Sequence, residues 1–290
     1  MNMQKRITAQ GPKDRKSYTV TLPIEWVKKE KIDKNRSVEL NVVGNTVTIS
    51  SQVEEQERVI VNGEDYRGSL IKVMQGLYRA GVNEIKVNFE SNSTLEECQS
   101  ITEKYLIGYE VIEQKKDYLV IKDITRESEE DFKIIFRRIF LILLEITGNE
   151  DQAQMNSLDK TLKKLTNYCQ RILIKKGHIE FRKIPFYYLI LDRIEKISDE
   201  YRWISRLKMT KKYDALHDEL CGLLRIAYEL FYKFEPIKYN KFSTRTYDIR
   251  NSLKAGENAE MVVIHLHNIA RALNSLGGDI FVLKYDSKEN

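Results

Sequence analysis

The spacing of apolar residues changes once along this 290-residue chain, and the change restricts the folds open to it. In the first fifty residues apolar side chains alternate in short runs, Tyr18, Val20, Leu22, then Val38, Leu40, Val42, then Val47, Ile49, the pattern of brief half-buried strands around a short helix. After Ile124 the spacing is three and four residues to the end. Phe132, Ile135, Phe136, Ile139, Phe140 and Leu143 form one stripe; Met155, Leu158, Leu162, Leu165, Cys169 and Ile172 form another; Tyr187, Ile190, Ile194, Ile197, Tyr201 and Ile204 form a third. Three antiparallel helices are expected there, followed by a second set at 213–234, around 244–253, and 261–283. Gly148-Asn149 and Gly256-Glu257-Asn258 read as helix stops, and Ser128, three residues before Asp131, as an N-cap.

Between these regions the order is βαβαββ: RVIVN, a helix over 66–80, EIKVNF, a helix over 95–106, then YEVIE and YLVIK joined by the hairpin turn QKKD. A small open sheet with helices on one face follows. Ser50, Ser51 and the acidic stretch QVEEQE read as the linker ahead of it.

Charge is unevenly placed. The first fifty residues carry ten Lys and Arg against five Asp and Glu, which equals the net +5 of the whole chain, while 51–125 carries nine basic against fourteen acidic residues. A small basic module points to a polyanion partner, and the acidic middle module argues against phosphate binding there. Lys13, Arg15 and Lys16 lie in the Gly11-Pro12 loop, and Lys5 and Arg6 precede it, where long side chains can reach phosphates or a groove.

Enzyme signatures are missing: there is no GxxxxGK[ST] loop, GxGxxG turn, GxSxG elbow or HExxH helix, so no catalytic residue is assigned. His265 and His267, two apart on a helix, diverge too far to share a metal. Cys98, Cys169 and Cys221 form no CxxC pair and read as reduced packing residues of a cytoplasmic protein. The most apolar stretch, 134–146, is broken by Arg137, Arg138 and Glu145, so no membrane insertion is expected; MNMQKRITAQ lacks the core of a signal peptide. Asp192, Glu195 and Asp199 share one edge of the third helix, where they suit either a hard cation or ion pairs with the interspersed Arg193, Lys196 and Arg202.

The stretch SYTVTLPIEWVKKEKIDKNRSVELNV, through Val20, Leu22, Pro23, Trp26, Val27, Ile32, Val38, Leu40, Val47 and Ile49, resembles the AbrB/MazE/SpoVT swapped-hairpin DNA-binding domain. The resemblance implies a barrel interleaved from two chains, hence a homodimer, with basic loops facing double-stranded DNA. Where that family often has Gly in the turn before the later strand, this chain has Asn35-Arg36, and Asn tolerates the left-handed backbone.

The helical part resembles the PhoU phosphate-uptake regulators, and the order of parts is similar to archaeal PhoU-like proteins with an AbrB-type head. LDRIEKISDE carries this likeness, with Glu195 and Asp199 matching the family's E/DxxxD metal signature, and IARALNSLGGDIFVL resembles a second copy. In that copy the two acids fall on Asn274 and Gly278, with Asp279 out of phase; in the first copy the preceding helix retains Asp159 but is rich in Lys160, Lys163 and Lys164. The resemblance therefore implies at most a single divalent or ferric ion at Glu195 and Asp199.

The expected architecture is multidomain α+β: a dimeric swapped-hairpin β-barrel at 1–51, a βαβαββ module at 57–125, and at 128–286 a PhoU-like bundle of two three-helix repeats. The expected function is a non-enzymatic DNA-binding transcriptional regulator of phosphate uptake, engaging DNA through Lys5, Arg6, Lys13, Arg15 and Lys16, with a phosphate transporter or histidine kinase as implied partner. The alternative is a metal-binding adaptor acting on such a transporter or kinase by protein contacts alone.

Overall fold

The computed structural model describes residues 5–12, 15–43, 46–51, 58–125, 129–176, 181–207, 211–253 and 260–285. It is mixed α and β, mostly helical, and divides into two units, Met1–Glu55 and Gln56–Asn290.

In the first unit, β1 (Ile7–Gln10) pairs antiparallel with β2 (Ser17–Val20), and β3 (Val38–Val43) pairs antiparallel with β4 (Thr46–Ser51). The sequence pattern does not mark β1, because Ile7 and Ala9 alternate over only four residues. Leu22-Pro23 ends the first ladder, since a residue before proline is held extended. Two short helices follow, α1 (Ile24–Lys29) and α2 (Ile32–Asn35). Each strand pair is a separate two-stranded sheet, and among the described residues no closed barrel forms within one chain.

The second unit begins with a four-stranded sheet in the order β5-β6-β8-β7, built from β5 (Arg58–Asn62), β6 (Glu84–Asn88), β7 (Tyr109–Gln114) and β8 (Tyr118–Asp123). β5 and β6 are parallel, and β8 returns antiparallel between β6 and β7. α3 (Leu70–Arg79) and α4 (Asn92–Tyr105) provide the crossovers. The first helix begins later than the apolar spacing predicts, because Gly63–Tyr66 forms a 3-10 turn and Gly68 takes φ +76°, breaking the run.

That turn places Glu64 beneath the start of α4. Its Oε1 accepts from Thr94 Oγ1 at 2.9 Å, Ser91 Oγ at 3.1 Å and the backbone amides of Glu90 and Ser91 at 3.2 Å, and its Oε2 accepts from Arg67 Nε at 2.5 Å. The Thr94 hydroxyl above all, with the Glu90 amide, holds the Glu64 carboxyl at about 2.

Six helices occupy the rest of the described chain: α5 (Glu129–Thr147), α6 (Gln152–Lys176), α7 (Ile184–Ile204), α8 (Lys211–Tyr232), α9 (Pro236–Ser252) and α10 (Met261–Lys284). α5, α6 and α7 pack on one another, α8, α9 and α10 likewise, and α7 lies against α10. Gly148 follows the end of α5 as expected, while Asp151 caps α6, accepting from the Ala153 amide at 2.8 Å. Ser128, QVEEQE and Gly256-Glu257-Asn258 lie outside the described residues. Among the described residues, no helix is long and apolar enough to cross a membrane.

The sheet and the helices share one hydrophobic core, from Val61 and Ile85 through Phe140 and Ile194 to Leu276. α3 and α4 both pack on α6, and a fully buried cation fixes the junction. Arg171 of α6 donates Nη1 to the Tyr78 carbonyl at 2.7 Å and Nη2 to Asp123 Oδ2, at the end of β8, at 2.5 Å. Its guanidinium lies 4.9 Å from the Tyr78 ring centre and 5.0 Å from that of Tyr109. Burial alone would raise the Asp123 carboxyl; hydrogen bonds from Arg171 and Thr125 outweigh it and hold the group below the usual carboxylate range.

Both carboxylates bear measurably on stability. Arg171→Ala leaves Asp123 buried with Lys175, 3.1 Å away, as its remaining cation among the described residues, and is expected to destabilise the protein by about 3 kcal/mol in denaturant unfolding. For Glu64, whose folded pKa lies below its ordinary 4.5, the stabilisation is complete above that pH and fades as pH falls toward about 2. Glu64→Gln should therefore flatten the dependence of melting temperature on pH across that interval.

Candidate nucleic-acid interface and polar helical seam

Strand register places the apolar residues of the first unit on common faces. Ile7 opposes Val20 and Ala9 opposes Tyr18, so these four share one side of the β1–β2 ladder; Leu40 opposes Ile49 and Val42 opposes Val47 on the β3–β4 ladder. Within one chain these faces remain largely uncovered: Ile7 and Tyr18 are each 65% exposed, Leu40 61% and Val42 68%. Ile32 is the only buried side chain among the described residues of this unit.

The basic residues flank the same hairpin. Lys5 and Arg6 precede β1, at the end of the ladder where Ile7 meets Val20; Arg15 and Lys16 precede β2, at the turn end. All four side chains are exposed, and Lys13 lies outside the described residues. A four-residue ladder separates the two pairs by about 13 Å, so one chain offers two cationic points rather than one patch. The turn depends on Gly11, whose φ is +106° and whose added Cβ would stand 2.6 Å from the Arg15 carbonyl oxygen. The Arg15 amide closes it by donating to the Pro12 carbonyl at 3.0 Å.

Further cations follow on α1 and α2. Lys31 and Arg36, both exposed, take φ +54° and +51°, so the left-handed position of the turn before β3 falls on Arg36, not on Asn35. A non-glycine residue in that region is strained by roughly 1 kcal/mol, and amides stabilise it here: Arg36 N donates to the Ile32 carbonyl at 2.7 Å. The sequence places Asn35-Arg36 in the turn before the later strand but does not mark Lys31 as a turn residue. The spacing of Lys31 and Arg36 around IDKN is the only signal for it.

The second candidate site lies between α6 and α7. Asp159, Lys163 and Thr166 form one stripe on α6, and they meet Glu195, Ser198, Asp199 and Arg202 of α7. Lys163 Nζ donates to Asp159 Oδ2 at 2.9 Å and to Asp199 Oδ1 at 2.7 Å. Arg202 Nη2 donates to Asp199 Oδ1 at 2.9 Å, and its Nε lies 3.6 Å from Asp159 Oδ2. Ser198 Oγ donates to Asp159 Oδ1 at 2.8 Å. Glu195 is nearby, its Oε2 3.3 Å from the Thr166 hydroxyl. Burial raises the Glu195 carboxyl above its usual range, against the pull of Lys163. Asp192, the third acid of the edge, points away into an exposed pair with Lys196 at 2.6 Å.

A cation held by Glu195 and Asp199 needs free anionic oxygens. Asp199 Oδ1 already accepts from two cations, Lys163 and Arg202, which stand where a metal ion would have to enter, so this donor set does not fit one. Among the described residues, no group of three or more His, Cys, Asp or Glu side chains is placed to hold one. The sequence signal for the ion pairs was the Asp159/Lys163 spacing of four and the Asp199/Arg202 spacing of three.

Cys98 and Cys169 are buried, and burial pushes the Cys98 thiol up to about 12. Cys221 is half-buried, its Sγ 3.5 Å from the Tyr201 hydroxyl. His265 Nδ1 lies 2.5 Å from Glu200 Oε2 across the α7–α10 contact. Comparison with protein-family models, curated proteins and solved structures found no match.

Gly11→Ala is expected to loosen the β1–β2 turn by about 1 kcal/mol. Hydrogen exchange at the Arg15 amide should then be roughly five times faster than in the unsubstituted chain.

Proposed function

We propose that the chain is a DNA-binding regulator that acts as a homodimer, with two copies of the first unit closing on one another through their hairpins. The observation that carries this reading is the pair of uncovered apolar faces with exposed cations at both ends of one hairpin. A two-stranded hairpin is marginal alone, and a unit of this size that buries Ile32 alone among its described side chains lacks a core. A second copy supplies the matching surface. Covering Ile7, Tyr18, Val20, Leu40, Val42 and Val47 is worth roughly 1.5 to 3 kcal/mol per large side chain, enough to drive association. Closure also brings together cations from two chains, which converts separated points into a surface long enough to follow a duplex backbone. Arg15 and Lys16 at the turn are the principal contacts, with Lys5, Arg6 and Lys13 beside them.

The helical unit is read as two three-helix repeats of the PhoU kind that carry a signal, tied to phosphate uptake, from a transporter or kinase partner. An internal correspondence supports the repeat. Thr246 of α9 accepts from Asn274 of α10 at 3.1 Å, just as Thr166 of α6 meets Glu195 of α7, and Asn274 is the position that sequence similarity pairs with Glu195. The occupied carboxylates of the α6–α7 seam weigh against the alternative of a metal-dependent adaptor.

The test uses the full chain on its own upstream DNA. Light scattering should give a dimer, and Val42→Asp, which places a charge on the apolar face, should give monomer or aggregate. Retardation of duplex should weaken by a thousandfold or more between about 50 and 200 mM salt if six or more phosphates are neutralised. The Arg15→Ala/Lys16→Ala double variant should lower the salt slope by about one for each phosphate it no longer neutralises, while the dimer persists. A folded dimer that retards no duplex at low salt would refute DNA binding.

A further inference from the structure

We propose that the Lys163 ammonium stands where a divalent cation would sit between α6 and α7, so that the helical unit carries its own counter-ion and takes none from solution. This inference concerns the second unit alone and does not depend on DNA binding by the first.

Geometry comes first. Lys163 Nζ is within 3 Å of a carboxylate oxygen from each helix, Asp159 Oδ2 at 2.9 Å and Asp199 Oδ1 at 2.7 Å, and so bridges the two elements as a bound hard cation does. The Ser198 and Thr166 hydroxyls and the Glu195 carboxyl complete an oxygen-rich surround.

Charge balance is the second observation. Asp159 and Asp199, the two carboxylates that Lys163 bridges, are matched by two cations, Lys163 and Arg202. Both aspartates are thus already met by cations of the chain itself, and a divalent ion entering between them would have to displace the Lys163 ammonium. The side chain of Asp159 is only 3% exposed, so its charge must be met locally.

The third observation comes from the other half of the helical unit. Counting from the Thr166–Glu195 and Thr246–Asn274 contacts, the positions matching Asp159, Lys163, Glu195 and Asp199 are Tyr239, Ser243, Asn274 and Gly278. The lysine and the acids are replaced together. An incidental surface lysine would have no reason to vanish with the acids; a counter-ion would. At that end the helices approach directly, and Gly277 faces Phe242, where an added Cβ would lie 2.6 Å from the ring.

The test measures bound metal and thermal unfolding of the full chain, after chelator and after excess manganese or magnesium chloride. The unsubstituted chain should hold no stoichiometric metal and melt at the same temperature in all three conditions. Lys163→Gln leaves the two aspartates with one cation between them and should melt roughly 5 °C lower, with manganese restoring most of the difference and about one ion bound per chain. Lys163→Arg keeps the charge and should ignore the metal. Stoichiometric metal in the unsubstituted chain, or in Lys163→Arg, would overturn the proposal, as would a folded Lys163→Gln protein indifferent to metal. Should Lys163→Gln fail to fold, the unsubstituted chain and Lys163→Arg still decide, because metal uptake by either contradicts an internal counter-ion.

Discussion

The second unit depends on one buried cation. Arg171 lies on a bundle helix, yet its guanidinium ends among groups of the α/β layer: the Tyr78 carbonyl, the Asp123 carboxylate and the Tyr78 and Tyr109 rings. A charge with no exposure must find partners wherever the chain can deliver them, and here they come from α3, β7 and β8. That requirement binds the sheet and the bundle into one body. It also explains why β8 ends in Asp123 and why the Tyr78 hydroxyl turns to the Ile107 carbonyl, 2.8 Å away, leaving the ring face to the cation.

The first unit presents the opposite case. Its backbone ladders are formed, but their apolar sides face outward, and within one chain little covers them. Backbone hydrogen bonding sets the local structure of a hairpin, while burial stabilises it, and only the first of these is met inside a single copy. The proposed association and the proposed recognition of DNA thus share one hairpin. In the proposed dimer, the surface that closes it would fix where Arg15 and Lys16 of one copy stand relative to those of the other.

Charge is handled in two ways along the α6–α7 and α9–α10 contacts. In the former, Asp159 and Asp199 meet Lys163 and Arg202; the latter has a neutral amide-to-hydroxyl contact and a close glycine approach. In both, the partners of these side chains come from the chain itself.

How much of this was legible in the sequence differs by element. The alternation of Leu40, Val42, Val47 and Ile49 defined a strand pair and its apolar side, because side-chain direction in a strand follows from position alone. The three- and four-residue stripes marked the bundle for the same reason, although α9, with few apolar positions, begins at Pro236, well ahead of the weaker signal around Thr244. Lys5, Arg6, Arg15 and Lys16 were recognisable as exposed cations. Their division between the two ends of one ladder was not, because β1 is too short to announce itself and its register is set only by pairing. The partners of Asp199 were equally hidden: LDRIEKISDE carries the acids, but the lysine that neutralises them is on another helix, thirty-six residues earlier. Composition and periodicity determined which elements form and which faces are apolar, since those are local properties of the chain. Which charges meet was decided by helix crossing and strand register, and these exist only once distant segments have packed.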